Sequence, residues 1–328
     1  MNIVITGAAG FLGKKLVKAL LKKGSLLNRK GQLEQISQIT AFDIATLTDI
    51  SDPRLNVVCG DISNPEELAN LINENTDSVF HLAAIVSGQA EQNFELGMKI
   101  NVDAARQIME RMRALPQCIR LVTTSSVAVF GGNLPEKVPD EQVWIPQSSY
   151  GTQKAMNDLL LSDYSRRGFL DGRSLRMPTI VVRPGKPNAA ASSFASGIIR
   201  EPLNGEEANC PVSTDTRLWL MSPDKAVTAL VHGHELDNKE LNQGRIINLC
   251  GLSVTVEAMI GSLLRIAGDE VVSRISFKTD QAIVDIVNSW PGDFHADYAR
   301  HLGFEANGSF DEVIEEYLIE KNGLTSQP

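Results

Sequence analysis

A glycine-rich turn near the amino terminus constrains the fold of this chain more than any other feature. Residues 2–6 are a short apolar run of β-branched type, which predicts a buried strand. The segment Thr6–Gly13 follows at once with the spacing Gly-x-x-Gly-x-x-Gly, and an apolar stripe flanked by lysines then predicts a helix. Gly7 suits a tight turn, Gly10 lets the backbone approach a pyrophosphate, and Gly13 allows the helix to pack close to the strand. The turn therefore predicts a dinucleotide bound at a helix amino terminus, the alternative being an ordinary turn with three glycines.

Acidic residues end the next predicted strands. Asp43 closes the strand Gln38–Asp43, where a carboxylate can bind the ribose hydroxyls of the adenosine. It would also repel a 2′-phosphate, and no Arg or Lys stands between Thr40 and Pro53, which favours NAD over NADP. A carboxylate that merely ends a strand is the alternative.

Two further strands are predicted to contribute to the same cofactor site. Asp61 and Ile62 follow a third strand, and Asp61 can accept a hydrogen bond from the adenine amino group. The fourth strand is predicted over residues 78–84, where small residues such as Ala83 permit backbone contacts to the cofactor. His81 lies inside this apolar run, so a structural histidine is favoured over a catalytic base.

A tyrosine and a lysine four residues apart supply the candidate chemistry. Tyr150 and Lys154 share one face of a predicted helix, so the ammonium lies close to the phenol oxygen. The positive charge favours the phenolate, and such a tyrosine can take a proton from an alcohol near neutral pH. Ser126 ends the predicted strand Arg120–Ser126, at the edge where open α/β sheets bind ligands, and its hydroxyl can hold the same alcohol in place.

Composition excludes several other classes of function. The chain has 328 residues, enough for a main domain and a smaller lobe, and a net charge of −9 without a basic cluster, which argues against nucleic acid as a partner. Four cysteines without paired spacing argue against a metal site or a disulfide framework. No apolar run approaches the roughly 20 residues of a membrane span, so we expect a cytoplasmic protein with no membrane partner.

The element pattern predicts an α/β protein with a doubly wound parallel sheet. We expect a dinucleotide-binding domain over residues 1–183 and a smaller α+β substrate lobe over residues 184–328. The stretch 188–196 at the start of this lobe is rich in small residues, which suits the wall of a pocket for a compact ligand.

Three motifs together resemble the extended short-chain dehydrogenase/reductase family, which includes the nucleotide-sugar epimerases. They are Thr6–Gly13, Ser125–Gly131 and Tyr150–Lys154. The resemblance implies that Ser126, Tyr150 and Lys154 form a catalytic triad and that Asn101 completes a proton relay through water. Phe130 departs from the family, which often has tyrosine there.

Residues 175–188 and the segment after them resemble more closely the NAD-dependent D-erythronate dehydrogenases. This implies oxidation of a four-carbon sugar acid, D-erythronate, at C2 to the 2-oxo acid 2-dehydro-D-erythronate. In the wider family an arginine at the position of Arg217 binds a substrate phosphate, and for a sugar acid its guanidinium fork would clamp the carboxylate. Arg183 and Lys186 are alternatives for this cation, and Asn188 is a further candidate substrate contact.

Two rival functions stay open, a nucleotide-sugar epimerase or dehydratase and a non-enzymatic NAD-sensing regulator. An intact Tyr150 and Lys154 count against the regulator. The resemblance also implies a homodimer formed through the helices predicted at 98–114 and 150–167. Spare apolar surface is expected from these residues: Ala104, Ala105, Ile108, Met109, Met112, Leu159, Leu160 and Leu161.

The complete set of predicted contacts is as follows. The cofactor site comprises Gly7, Gly10, Phe11, Leu12, Gly13, Asp43, Asp61, Ile62, Ala83, Tyr150 and Lys154. The substrate site comprises Ser126, Tyr150, Arg217 and Asn188, and no metal is expected.

Overall fold

The computed structural model describes residues 1–185 and 190–323. Its strands, in chain order, are β1 (Asn2–Thr6), β2 (Ser25–Leu27), β3 (Leu33–Gln35), β4 (Gln38–Asp43), β5 (Leu55–Cys59), β6 (Ser78–His81), β7 (Arg120–Ser126), β8 (Asp171–Met177), β9 (Thr179–Ile180), β10 (Ala208–Cys210), β11 (Arg217–Met221), β12 (Ile246–Asn248), β13 (Leu252–Thr255) and β14 (Ile275–Phe277).

The helices connect many of these strands. They are α1 (Phe11–Lys23), α2 (Pro65–Leu71), α3 (Ser87–Gln92), α4 (Phe94–Gly97), α5 (Ala104–Arg113), α6 (Ser149–Arg166), α7 (Ser193–Leu203), α8 (Pro223–Glu235), α9 (Val256–Ala267), α10 (Asp269–Val272), α11 (Gln281–Val287), α12 (Asp297–His301) and α13 (Phe310–Lys321). A π-helix (Met98–Asp103) joins α4 to α5, and a 3₁₀ turn (Val127–Val129) follows β7.

A sheet built around β1 forms the first compact unit. Among the described residues its strand order is β12-β8-β7-β6-β1-β4-β5. The pairings of β1 with β4 and β6, of β4 with β5, of β6 with β7 and of β8 with β12 are parallel. From β1 the chain adds strands first on one side and then on the other, so the predicted doubly wound α/β fold is confirmed. Such an order places a ligand crevice at the carboxyl ends of β1 and β6, where the winding reverses.

Local sequence signals explain where the helices of this unit begin and end. Helix α1 ends at Gly24, which has a positive φ of 73° and donates its N–H to Leu20 O. Helix α2 has Pro65 in its first turn, and the Asn64 side chain accepts from the N–H of Glu66. Ser148 caps α6 by accepting from the N–H of Gly151 at 3.1 Å. The helix bearing Tyr150 and Lys154 therefore starts where the sequence predicts.

The two compact units do not follow the chain as two continuous pieces. Unit 1 comprises Met1–Ser126, Ser148–Arg176 and Val227–Asn248, and unit 2 comprises Val127–Gln147, Met177–Ala226 and Leu249–Pro328. The expected boundary after residue 183 lies a few residues beyond the end of the second stretch of unit 1. Residues 227–248 also belong to unit 1 and add β12 to its sheet. A single boundary after residue 183 does not describe this later segment.

Unit 2 contains small sheets packed against helices. Strand β11 pairs with β13 antiparallel and with β9 parallel, and β10 pairs with β14 parallel. Helices α7, α9 and α13 bury their apolar faces in one cluster with these strands, which includes Ile198, Leu220, Met259 and Ile314. Unit 2 therefore has a hydrophobic core of its own.

Several local features differ from the sequence-based expectation. Between α1 and β4, where no strand is predicted, β2 and β3 form an antiparallel hairpin. The fourth strand ends at His81, three residues before the expected Ala84. Across residues 1–185 and 190–323, no helix combines the length and apolarity that crossing a bilayer requires.

The apolar residues of α5 are also placed differently from the prediction. Ala104, Ala105, Ile108, Met109 and Met112 are all buried within unit 1, at 3% exposure or less. The expectation that they supply a second, partner-facing surface is wrong, because the core of the unit uses them all. On α6, Leu161 is likewise buried, whereas Leu159 is 60% exposed.

Candidate functional site

The glycine turn between β1 and α1 is a tightly packed backbone corner. Gly7 has a positive φ of 71°, and a Cβ built on it would lie 2.6 Å from the N atom of Ala83. A Cβ on Gly13 would lie 2.2 Å from Gly7 O, so both glycines are required by backbone contacts within the protein. Ala83, expected in the cofactor site, thus lies directly beside the turn.

Gly10 differs from the other two glycines because its surroundings are open. A Cβ there would approach only Gly7 O, at 3.2 Å. Gly10 is exposed, and α1 begins at the next residue with half-buried Phe11 and Leu12. The first N–H groups of a helix and its dipole attract an anion at such a place. The turn therefore fits a pyrophosphate: two glycines close-pack it, and the third leaves backbone accessible.

Asp43 lies at this turn, at the carboxyl end of β4. Its Oδ2 accepts from the N–H of Ala9 at 2.9 Å and its Oδ1 from the N–H of Ala45 at 3.1 Å. The carboxylate has lone pairs left for the predicted contact with ribose hydroxyls, and it also supports the glycine turn. Lys14 of α1 forms an ion pair with Asp49 in the loop after β4, at 3.2 Å. No local sequence pattern connects these two residues, because Lys14 and Asp49 lie on different elements.

Asp61 and Ile62 are held by local contacts after β5. Asp61 Oδ1 accepts from the Ser63 hydroxyl at 2.7 Å and from the Ser63 N–H at 2.9 Å, and these hydrogen bonds keep the pKa of the carboxyl below its usual value. The Asp61 side chain is exposed, whereas the Ile62 side chain is buried in the core of unit 1. Of these two residues, only Asp61 has a side chain that is accessible to solvent.

Helix α6 brings Tyr150 and Lys154 together as the spacing predicts. The Lys154 ammonium lies 5.6 Å from the centroid of the Tyr150 ring, and the lysine is buried, at 7% exposure. The ammonium donates to Thr124 O of β7 at 2.8 Å, two residues before Ser126. A buried ammonium needs such an acceptor, so this hydrogen bond fixes the lysine against the strand that carries the serine. Tyr150 and Ser126 are both half-buried.

Asn101 lies in the π-helix that interrupts the helix predicted over residues 98–114. Its Oδ1 accepts from Ile85 N at 2.7 Å, and its Nδ2 donates to Ile85 O at 3.1 Å and to Gln153 Oε1 at 2.7 Å. The amide therefore clamps the loop after β6 to the residue that precedes Lys154. Single π-turns inside α-helices often mark functional sites, but a 3.6-residue pattern does not reveal one. Gln153 likewise has no signal in the sequence.

His81 has a structural environment. Its Nδ1 lies 2.7 Å from the Thr6 hydroxyl. Burial, with a smaller contribution from the Lys154 charge, lowers the pKa of the imidazole to about 3. His81 is thus neutral at physiological pH and hydrogen-bonded between two adjacent strands, as the apolar run around it indicates.

The residues proposed to bind the substrate carboxylate belong to unit 2. Arg217 begins β11, is exposed, and donates from Nη1 to the Ser253 hydroxyl at 3.2 Å. The alternative, Arg183, donates from Nε to Ile180 O at 2.9 Å and from Nη2 to the Ser192 hydroxyl. Lys186 and Asn188 lie outside the described residues. Of the two arginines, Arg217 donates the fewer described hydrogen bonds from its guanidinium.

These groups define a class of protein. Unit 1 combines a parallel sheet, a glycine turn that fits a dinucleotide pyrophosphate, and a tyrosine–lysine pair whose lysine is hydrogen-bonded to the strand that ends at Ser126. A phenol beside a buried ammonium suits proton transfer to and from an alcohol oxygen. This is the arrangement of an oxidoreductase that uses a nicotinamide cofactor.

Comparison with known proteins agrees with this class. The family model described as "NAD dependent epimerase/dehydratase family" matches residues 3–250. The chain belongs to this family, and it is an oxidoreductase with a nicotinamide cofactor.

Individual relatives cover nearly the whole chain. A D-erythronate dehydrogenase of Cupriavidus necator is 54% identical, over 97% of this chain and 98% of the relative. A D-erythronate dehydrogenase of Haemophilus influenzae is 44% identical, over 97% and 99%. A crystal structure described as that of the nucleoside-diphosphate-sugar epimerase from Agrobacterium tumefaciens superimposes with a TM-score of 0.92 and is 42% identical, over 100% of this chain and 96% of that chain.

The glycine turn yields a paired prediction. Gly13→Ala forces a Cβ into Gly7 O and should lower the melting temperature of the cofactor-free protein by about 5 °C or more. Gly10→Ala should change that temperature by less than about 2 °C but remove most of the stabilisation that NAD gives. Thermal unfolding with and without NAD checks both, and an unimpaired NAD effect in Gly10→Ala would contradict the cofactor assignment.

The buried imidazole makes stability depend on pH. Between pH 6.5 and pH 3 the unfolded chain binds a proton at His81 that the folded chain does not, so the free energy of unfolding falls as pH falls through this window. The buried His234 acts in the same direction, since burial lowers its pKa as well. His81→Gln should reduce the slope of stability between pH 6 and pH 5 by about 1 kcal/mol per pH unit. Urea unfolding measures the slope, and an unchanged slope would show that His81 protonates freely when folded.

Proposed function

We propose that this protein is an NAD-dependent dehydrogenase that oxidises D-erythronate at C2 to 2-dehydro-D-erythronate. The observation that carries the proposal is the Tyr150–Lys154 pair, fastened to the strand of Ser126, in a chain that shares 54% and 44% identity with D-erythronate dehydrogenases over nearly its full length. Bound NAD supplies the hydride acceptor. The residues of the chain bind and orient the alcohol and move its proton.

The proton step follows from the electrostatics of α6. Tyr150 takes the hydroxyl proton of the substrate, and the Ser126 hydroxyl holds the same oxygen in position. The Lys154 ammonium stabilises the phenolate. Thr124 O accepts one of its three N–H groups, so others are available to the cofactor ribose. Asn101 holds the loop after β6 in place. The family resemblance implies that it also carries the proton relay through water.

A panel of sugar acids tests the proposal. D-erythronate and its stereoisomers are incubated with NAD⁺, and formation of NADH is followed by absorbance. We expect D-erythronate to give the highest kcat/KM, and erythritol, which lacks the carboxylate, to give little turnover. Absence of turnover with every acid in the panel would contradict the proposal.

A nucleotide-sugar epimerase is the second candidate, because the 42% identical crystal structure is described as an enzyme of that activity. It predicts tight calorimetric binding of a uridine diphosphate sugar and no net NADH formation. Tight nucleotide binding together with a silent sugar-acid panel would replace the dehydrogenase assignment. The NAD-sensing regulator predicts NAD binding without any turnover, whereas the intact tyrosine and lysine favour chemistry.

We propose a cytoplasmic homodimer, in agreement with the family resemblance. On α6, Met156 and Leu159 are 38% and 60% exposed, and Phe94 of α4 is 59% exposed. Apolar side chains exposed in this way are suited to burial against a partner. Light scattering at micromolar concentration should give twice the mass of the chain, and a monomeric mass would refute the dimer.

Removing the Tyr150 hydroxyl tests the acid–base assignment. Tyr150→Phe keeps the size of the ring and should lower kcat by at least about 100-fold, with NAD affinity nearly intact. Tyr164→Phe removes a hydroxyl from the same helix, where that group donates to Glu110, and serves as the matched control. Turnover by Tyr150→Phe equal to that of Tyr164→Phe would overturn the assignment.

Asp43 is proposed to select NAD over NADP. The wild type should prefer NAD⁺ clearly in kcat/KM, because the carboxylate repels a 2′-phosphate. Asp43→Asn keeps an oxygen that can accept from Ala9 N–H and should narrow the gap, whereas Asp43→Ala should also loosen the glycine turn. Equal use of both cofactors by the wild type would show that Asp43 serves the turn alone.

Arg217 is proposed to clamp the substrate carboxylate. A bidentate contact of this type contributes about 2–3 kcal/mol, so Arg217→Met should lower kcat/KM roughly thirtyfold or more. Most of the effect should fall on KM, since the carboxylate is charged in ground and transition states alike. Arg217→Lys should recover only part of the activity. Arg265→Met changes another exposed arginine of unit 2, paired with Asp311, and equal kinetics in both Met variants would contradict the clamp.

A further inference from the structure

The helix that carries the proposed catalytic pair also carries a buried carboxylate. Asp158 is on α6, four residues after Lys154 and eight after Tyr150, a spacing that puts all three on one face of the helix. Its side chain is 1% exposed. Asp158 has no role in the proposed proton transfer. A different reason is therefore needed for a charged side chain in this part of the core.

Asp158 joins α6 to two neighbouring strands. Oδ2 accepts from the Ser125 hydroxyl of β7 at 3.0 Å and from Arg176 Nε of β8 at 2.8 Å. Oδ1 accepts from the Ser174 hydroxyl, also on β8, at 2.5 Å. Arg176 is itself buried and donates from Nη1 to Asn248 Oδ1 of β12 at 3.3 Å. Directly or through Arg176, one carboxylate thus fixes the position of α6 relative to three adjacent strands of the sheet.

Stability alone does not account for such a pair. Desolvation of two charges offsets much of their attraction, and apolar side chains of similar volume often stabilise a core as well or better. Directional hydrogen bonds from fixed donors do, however, set the rotation and the height of a helix on a sheet. The residue beside Ser125 is Ser126, and successive side chains of a strand leave it on opposite faces. Holding Ser125 therefore also fixes the direction of Ser126.

We propose that Asp158, Arg176 and Ser125 form a brace that positions the catalytic groups of α6 relative to Ser126. The proposal deepens the dehydrogenase function and rests on it for the roles of Tyr150, Lys154 and Ser126. Thr124, Ser125 and Ser126 are consecutive on β7. Thr124 O accepts from Lys154, and Ser125 Oγ donates to Asp158. Ser126 is the residue proposed to hold the substrate alcohol. The three brace residues are positioning residues, because they act through their neighbours.

Two serines that donate to the same carboxylate give a matched test. Ser125→Ala removes the donor next to Ser126, and Ser174→Ala removes a donor that adjoins no proposed catalytic group. Ser125→Ala should lower kcat about five- to tenfold and move the acidic limb of the kcat pH profile to higher pH, because a displaced ammonium stabilises the phenolate less. Ser174→Ala should change kcat by less than about twofold and leave the profile in place.

The second variant separates positioning from stability. Asp158→Leu combined with Arg176→Met replaces the ion pair by apolar side chains, and we expect a melting temperature close to that of the wild type. Its kcat should nevertheless fall at least about tenfold. Recovery of both the melting temperature and the wild-type kcat would overturn the brace and leave the pair a purely structural role. Equal effects of the two serine variants would overturn it too.

NAD affinity provides a readout that needs no substrate. Because Lys154 is proposed to hold the cofactor ribose, Ser125→Ala should weaken calorimetric NAD binding about threefold or more, and Ser174→Ala should not. This titration tests the brace even if no acid in the panel is oxidised. Absence of turnover would contradict the proposed substrate and not the brace. The brace is contradicted if Ser125→Ala binds NAD with unchanged affinity and, where turnover is seen, has an unchanged kcat.

Discussion

The hydrogen bond from the Lys154 ammonium to Thr124 O is the contact on which the rest of the proposed chemistry depends. A buried ammonium without an acceptor would be costly, so the lysine holds α6 against β7 at this point. The same charge lies 5.6 Å from the centre of the Tyr150 ring. One buried cation thus links the strand of Ser126 to the helix of Tyr150 and lies beside the phenol ring.

The cofactor side of unit 1 depends on a comparable close approach, made this time by backbone. Gly13 packs on Gly7, and Gly7 packs on Ala83, so the turn after β1 and the loop after β6 contact each other without side chains between them. Asn101 holds that loop from the other side through both backbone groups of Ile85. The crevice where the sheet reverses its winding is therefore bounded by rigid backbone, and this suits a ligand that binds through its phosphates.

The parts of the protein that could be predicted are those with a local, periodic or positional signal in the sequence. Strands β1, β4 and β7 begin and end as expected, because apolar runs bounded by turn residues and acidic or polar ends mark them. The spacing of Tyr150 and Lys154 predicted their contact, since a helix repeats nearly every four residues.

Contacts between distant segments could not be predicted in the same way. The hydrogen bonds that Asn101 and Asp158 make with other elements, and the return of β12 to the first unit, involve residues far apart in the chain. The apolar pattern of α5 does not say how much of a helix the core covers, and the sheet and its neighbours bury all of that surface. The pairing of Lys14 with Asp49 likewise joins two elements that no local pattern connects.

Transfer of hydrogen from C2 of the sugar acid is the central claim, and isotope labelling tests it most directly. D-erythronate carrying deuterium at C2, or separately at C3, is oxidised with NAD⁺, and the reduced cofactor is examined by mass spectrometry. The dehydrogenase account predicts deuterium in NADH from the C2-labelled acid and none from the C3-labelled acid. Label in NADH from C3, or none from either acid, would contradict it.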